Sequence, residues 1–206
     1  LTSFYLRDLS FPPNCLPCFA EEVLELDSQK VNHLWQQTPQ EKKAAVGMIF
    51  IPPQNKETDS CSVILTQRSQ EVATHKGQVS FPGGKAEPSE KTPQDTALRE
   101  IEEEIHLPSH HLKVHGVLKP LPSLWGLTVW PVVMTAFFPA HKLKVSREVN
   151  RVLCPSWLHF EESKTQNFRF KVGDFSGSSP FYTIKHGFIW GLTAKILSQA
   201  SLHRAP

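Results

Sequence analysis

FPGGKAEPSEKTPQDTALREIEEEIHL, running from Phe81 to Leu107, is the stretch whose reading decides the fold. Its first half ends an apolar run with a Gly-Gly turn at Gly83 and Gly84. Its second half reads as a helix with a marked start: Thr92 as N-cap, Pro93 at the first helical position and Asp95 as the acid that follows. Four carboxylates fall within five residues: Glu100, Glu102, Glu103 and Glu104. Residues three and four apart share a helix face, so Glu100, Glu103 and Glu104 point together while Glu102 is turned away. Like charges at that spacing repel, and acids near a helix C-terminus oppose its dipole. A solvated acidic face is the bland reading of such a run. Here Ala97, Leu98, Ile101 and Ile105 give the helix an apolar side that docks on a core, and Arg99 sits where it can pair with a carboxylate and orient it. A divalent cation is the simplest offset to the repulsion. Hard oxygen ligands suit Mg²⁺ or Mn²⁺, which keep waters and share themselves with substrate phosphates.

Arg99-Glu100-Ile101-Glu102-Glu103-Glu104-Ile105-His106-Leu107 resembles the second half of the Nudix box, Arg-Glu-apolar-x-Glu-Glu-x-Gly-apolar. In that box a Gly, five residues, a Glu and seven more residues precede the Arg. Gly84 and Glu90 keep the first spacing, whereas eight residues separate Glu90 from Arg99. The alternative frame places Lys91 and Lys85 on the Glu and Gly positions, which makes less chemical sense. The difference therefore reads as one extra residue in the loop before the helix. His106 replaces the helix-ending Gly, a position that calls for a left-handed backbone, which His tolerates better than most residues.

Upstream, ILTQRSQEVATHKGQVSFPGG, Ile64 to Gly84, sharpens the resemblance. It is similar to the companion motif of the coenzyme A diphosphatase branch at Ile64, Leu65, Thr66, Arg68, Ser69, Gly77, Phe81, Pro82, Gly83 and Gly84. Ala73 stands where that motif has a second Arg; His75 and Gln78 also look familiar for the branch. Coenzyme A is anionic, carrying a pyrophosphate and a ribose 3′-phosphate. Arg68 offers a planar fork suited to phosphate, against the plainer reading of a surface ion pair with Glu71 or Glu87. Lys76 and Lys85 flank the turn as further point charges or as solvated surface, and Gly77, Gly83 and Gly84 permit close backbone approach. The expected substrate-binding set is thus Arg68, Ser69, His75, Lys76, Gly77, Gly83, Gly84 and Lys85.

The rest of the chain supplies the frame. Its 206 residues, 39% hydrophobic and 20% charged, suit one globular domain. A net charge of +2 makes no case for nucleic acid or a membrane surface, and no apolar run approaches the length of a spanning helix. Residues 1–43 read as an N-terminal extension, with helical patterns over Ala20 to Leu26 and Ser28 to Gln37, and 44–206 as the Nudix domain. Strands are expected at Ala44 to Ile51, Cys61 to Gln67, Leu112 to Leu118, Thr128 to Phe138 and Leu153 to Phe160. A hairpin is expected within Phe168 to Ile184, and a closing amphipathic helix from Ile189 to Leu197. That last segment is similar to the Ile-Trp-Gly-Leu-Thr-Ala ending of coenzyme A diphosphatases. His110, His111 and His115 alternate with apolar residues, so a half-exposed strand explains them better than a metal site. Cys15, Cys18, Cys61 and Cys154 lack a second close pair, which favours reduced thiols over a zinc site.

These elements make an α/β protein, and the resemblance implies the Nudix α/β/α sandwich with a mixed sheet between helices. It further implies hydrolysis of the pyrophosphate link in coenzyme A or acyl-coenzyme A. Mg²⁺ or Mn²⁺ is then held by Glu100, Glu103 and Glu104, and Arg99 orients the carboxylates. Glu148 resembles a glutamate of the branch and reads equally as a further ligand or base and as a solvated loop acid. The rival expectations are a Nudix enzyme for another nucleoside diphosphate derivative, such as NADH, ADP-ribose or a cap, and a non-catalytic Nudix-like subunit. The chain starts at Leu1, which reads as a processed form, and ends Arg204-Ala205-Pro206, unlike a Ser-Lys-Leu signal. Mitochondrial placement is therefore expected ahead of peroxisomal.

Overall fold

The computed structural model describes residues 28–53, 60–71, 76–137, 142–163, 166–172, 175–185 and 187–201. Helix α1, Ser28–Gln37, follows the expected periodicity. Strand β1, Lys43–Ile51, comes next, then the short strands β2, Ser62–Val63, and β3, Leu65–Arg68. The expected single strand over Cys61 to Gln67 is thus two pieces with Ile64 between them. The β2 piece pairs with β1, whereas β3 leaves for a second sheet. Strands β4, Val79–Ser80, and β5, Gly83–Lys85, lead into α2, Pro93–Ile105. After it come β6, Leu112–Val117, β7, Leu121–Pro122, β8, Thr128–Ala136, and β9, Val149–Leu153.

The chain closes with α3, Trp157–Glu162, β10, Gln166–Val172, β11, Phe175–Ile184, β12, Gly187–Trp190, and α4, Gly191–Ser201. Two expectations change here. The apolar run from Leu153 is not one strand: Pro155 lacks the N–H a ladder needs, and Trp157 and Phe160, three apart, share a buried helical face instead. The closing helix starts at Gly191, not Ile189. Ile189 is buried while Phe188 is exposed, which is strand alternation, and Gly191 at φ 65° makes the switch to helix.

The main sheet is mixed. Strands β1 and β8 run parallel at its centre, and β2, β5, β6 and β7 join them antiparallel. Nearly all of β1 and β8 is buried, as strands covered on both faces must be. Alternate side chains feed two cores. Ala45 and Ile49 of β1 and Trp130, Val132 and Met134 of β8 pack with Ile101 and Ile105 of α2 and with Val31 and Trp35 of α1. Met48, Phe50 and Val133 face the other way, toward Trp157 and Phe160 of α3 and Ile196 and Leu197 of α4. The result is the expected three-layer α/β/α arrangement. Two three-stranded sheets, β4-β3-β9 and β10-β11-β12, flank it.

What positions the site is the tight seat of α2 on β1. A Cβ at Gly47 would lie 2.5 Å from Ile101 Cδ1, so only glycine lets the helix approach this closely. Cys61 and Cys154 are free thiols, and Cys15 and Cys18 lie outside the described residues, as does the expected helix over Ala20 to Leu26.

Candidate active site

The start of α2 sets the direction of its carboxylates. Thr92 Oγ1 accepts from Asp95 N at 3.2 Å, and Asp95 Oδ2 accepts from Thr92 N at 2.9 Å, a complete capping box. Lys91 N donates to the same Asp95 oxygen at 2.9 Å. One carboxylate thus holds two consecutive N–H groups just before the helix. Glu90, not Lys91, reaches the helix. At the other end His106 takes φ 48°, ψ 39°, the left-handed cap that usually calls for glycine.

Arg99 is the hub of the inner network. Its Nε donates to Glu90 Oε1 at 2.8 Å and its Nη1 to Glu103 Oε2 at 2.9 Å. Its Nη2 meets Glu100 Oε1 and the Lys85 carbonyl, each at 2.9 Å. Glu90 is locked further by Thr96 Oγ1 and Glu87 N, both donating to Oε2 at 2.7 Å. In the sequence Glu90 only sets the frame of the motif, and its five-residue spacing from Gly84 is the one signal of its part in holding Arg99.

The second network is built from three distant parts of the chain. Arg68 ends β3, and the β3–β9 pairing, which shifts register between Gln67 and Arg68, sets Arg68 opposite Val149. Glu148 is thereby brought alongside: its carbonyl accepts from Ser69 N at 2.8 Å, and its Oε2 lies 3.4 Å from Arg68 Nη2. Arg68 Nη1 lies 3.6 Å from Glu104 Oε1. The plainer reading of Arg68, a surface ion pair with Glu71 or Glu87, is not what forms; its acids are Glu104 and Glu148. Glu104 is buried, and among the described residues neither its Oε2 nor the buried Nε of Arg68 has a hydrogen-bond partner.

Strand β5 borders both networks, and both of its glycines have internal reasons to be there. Gly83, at φ 151°, lies against β1, where a Cβ would sit 2.4 Å from the Ala45 carbonyl. A Cβ at Gly84 would sit 2.4 Å from Glu100 Oε1. Gly77, at φ 68°, completes the β3–β4 turn: its N–H donates to the Arg68 carbonyl and its own carbonyl accepts from Gln67 Nε2, both at 3.2 Å. Ser69 Oγ accepts from Glu71 N at 3.2 Å, a turn contact. Lys76 and Lys85 are exposed, Glu102 is exposed as expected, and His75 and Ala73 lie outside the described residues.

Burial shapes the charges. It pushes Glu104 up to about 7; Arg68 and a hydrogen bond from the Gly83 backbone oppose the rise, and the charges of Glu100 and Glu148 add to it. Burial also raises Glu100, partly offset by Arg99. Burial works against ionised Glu90 too, but Arg99, Thr96 and the Glu87 N–H outweigh it and hold that carboxyl below its usual range. For Arg99 the same burial is overcome by Glu90 and Glu100, which raise it. On the far side of β8, His115 shares a hydrogen bond with Thr135 and burial holds it neutral down to about 4.

Across the site five carboxylates, of Glu90, Glu100, Glu103, Glu104 and Glu148, face two guanidinium groups. Three formal negative charges are left in excess. Among the described residues no group of three or more His, Cys, Asp or Glu side chains is placed to hold a metal ion: Glu100 and Glu103 are drawn to Arg99 and Glu104 to Arg68, so the expected three ligands are not brought together. An oxygen-only bank with an unpartnered buried Glu104 oxygen nonetheless fits a hard divalent cation, which takes one or two carboxylates and fills the remaining positions with water and phosphate.

The family model for the NUDIX domain matches residues 41–171. The chain belongs to the Nudix family. A curated relative, the uncharacterized Nudix hydrolase NudL of Photorhabdus laumondii, is 35% identical over 146 residues, covering 67% of this chain and 74% of that protein. Nudix hydrolase 22, chloroplastic, of Arabidopsis thaliana is 40% identical over 151 residues, covering 68% of this chain and 48% of that protein. Among solved structures, a MutT/nudix family protein from Enterococcus faecalis superposes with a TM-score of 0.49 at 18% identity, covering 84% of this chain and 68% of that one. Nudix hydrolases act on small molecules and generally use a divalent metal ion. Among the described residues no helix is long and apolar enough to cross a membrane.

Proposed function

We propose that this Nudix hydrolase cleaves the pyrophosphate link of coenzyme A or its acyl esters. Water adds across the P–O–P bridge, giving 4′-phosphopantetheine, or its acyl form, and 3′,5′-ADP. The observation that supports this reading best is the Arg68–Glu104 contact at 3.6 Å. It joins the upstream motif, which carries the resemblance to coenzyme A diphosphatases, to the acidic helix, so the two motifs build one site.

Glu100, Glu103 and Glu104 are the residues that would hold Mg²⁺ or Mn²⁺. Such an ion, when bound, neutralises charge developing on phosphoryl oxygens and lowers the pKa of an attacking water. The chain's own residues do the rest. Arg99 fixes Glu100 and Glu103 so that little reorganisation is needed when substrate arrives. Arg68 presents N–H donors to a substrate phosphate, and Lys76 and Lys85 add positive charge at the rim. Glu104 and Glu148 are the two acids beside Arg68 able to accept the proton of the attacking water.

A panel of coenzyme A, a medium-chain acyl-coenzyme A, NADH and ADP-ribose, each with Mg²⁺ and with chelator, tests this. The expected result is metal-dependent release of 3′,5′-ADP from one or both coenzyme A substrates, at a kcat/KM well above the other two. Preferred cleavage of NADH or ADP-ribose would instead favour the second reading, another nucleoside diphosphate derivative. Ala73, in place of the motif's second Arg, is the observation on its side.

A further inference from the structure

The two arginines of the site are bonded very differently. Arg99 makes four contacts at 2.8–2.9 Å to three carboxylates and a carbonyl. Arg68 has its two acids at 3.4 and 3.6 Å, at or beyond the outer edge of hydrogen-bonding distance. Among the described residues both members of the Arg68–Glu104 pair also keep a buried polar atom with no close hydrogen-bond partner, Arg68 Nε and Glu104 Oε2, although the Gly83 backbone also bears on the Glu104 carboxylate. A buried polar atom without a partner is costly to keep, so each member gains by exchanging its neighbour for a better one. Glu104 would gain from a cation with several coordination sites, and Arg68 from an anion able to accept from Nε and an Nη together.

From this we infer that Arg68 is an exchangeable counter-ion. It occupies Glu104 in the resting protein, gives up that carboxylate when a divalent cation arrives, and then turns its freed fork to an anionic group of the substrate. Glu148 is the tether that keeps the guanidinium at the site during the exchange. Metal and substrate binding are thereby coupled through one side chain, and Arg68 is a positioning residue that opposes metal binding before it assists substrate binding. The inference rests on the metal reading of Glu104 given above.

The test is a set of Mn²⁺ titrations by calorimetry on the full chain, without substrate. Glu104→Gln should lose the high-affinity Mn²⁺ event; if it does not, the metal reading itself fails. With that established, Arg68→Gln should bind Mn²⁺ about tenfold more tightly than wild type, because its competitor is gone. Arg68→Lys, which keeps the charge, should stay within a few-fold of wild type and guards against a folding defect in the neutral variant. Glu148→Gln should weaken Mn²⁺ binding in the wild-type background and leave it unchanged in the Arg68→Gln background, since it acts through Arg68. Unchanged or weaker Mn²⁺ binding by Arg68→Gln, with Glu104→Gln still showing the loss, would overturn the exchange while sparing the metal site. A Glu148→Gln effect of equal size in both backgrounds would also overturn it, by making Glu148 a direct ligand.

Discussion

Arg99 and Arg68 both face glutamates of one helix, yet they stand in opposite conditions. Arg99 is saturated: every contact is short, its partner Glu90 is bonded again by Thr96 and by the Glu87 N–H, and Glu90 is held ionised below its usual range. Arg68 is under-bonded, and its partner Glu104 is pushed up to about 7 by burial that nothing nearby fully offsets. The contrast separates scaffold from working group. A satisfied buried network fixes geometry, whereas a half-satisfied one is stored demand for a ligand.

The largest effect should come from breaking the saturated side. Arg99→Gln leaves half-buried Glu90 with only Thr96 and the Glu87 N–H as donors and frees Glu100 and Glu103 to repel, and should cost about 2–3 kcal/mol in urea unfolding. Arg68→Gln should cost only about 1 kcal/mol, because its contacts are long and partly solvated. Equal losses for the two variants would break the comparison.

Next in size is Gly84→Ala. Its Cβ would meet Glu100 Oε1 at 2.4 Å, so the carboxylate must move off Arg99. A stability loss of about 1–3 kcal/mol is expected. A fall in kcat of roughly a hundredfold should accompany it if the position of Glu100 is as important as argued.

The smallest effect is on the acid limb of stability, and it isolates the Arg99 hub. His115 is held neutral down to about 4, whereas an unfolded histidine protonates near 6.5. Between those values the unfolded chain binds more protons, so stability falls as pH falls. Glu90 works lower. Its folded pKa lies below the unfolded 4.5, so its contribution is present above 4.5 and is lost as pH drops beneath it. Glu104, raised to about 7, works in the opposite sense over much of the same range, so the test is a difference from wild type. The melting temperature of His115→Asn should rise relative to wild type as pH falls from 6.5 to 4, and that of Glu90→Gln should rise relative to wild type only as pH falls below 4.5.

Much of the saturated side was legible in the sequence because its signals are local. Thr92, Pro93 and Asp95 announce the helix start, His106 its left-handed end, and helical spacing the placing of Glu100 and Glu103 beside Arg99; Glu104, expected to share that face, is drawn to Arg68 instead. The layered fold was equally open to reading, since β1 and β8 carry runs that only doubly covered strands tolerate. The partners of Arg68 were hidden. Glu148 is brought to it by the β3–β9 pairing and by a register shift that no local pattern encodes. The glycines of β5 read as room for a ligand, but whether a glycine makes space for substrate or for the protein's own Glu100 depends on what packs above it. The misplaced start of the closing helix has a local cause: Ile189 and Trp190 suit either a short strand or a helix face, and only the conformation of Gly191 separates the two.

Turnover of coenzyme A by Glu104→Gln, measured beside wild type at saturating Mg²⁺ with melting temperatures recorded for both, goes to the heart of the matter. The amide keeps the shape of the buried side chain and removes only its charge. Product formation should fall by at least about a hundredfold with the melting temperature equal or higher, since a charge need no longer be buried. Wild-type turnover from that variant would show that the acidic helix does not do the chemistry assigned to it.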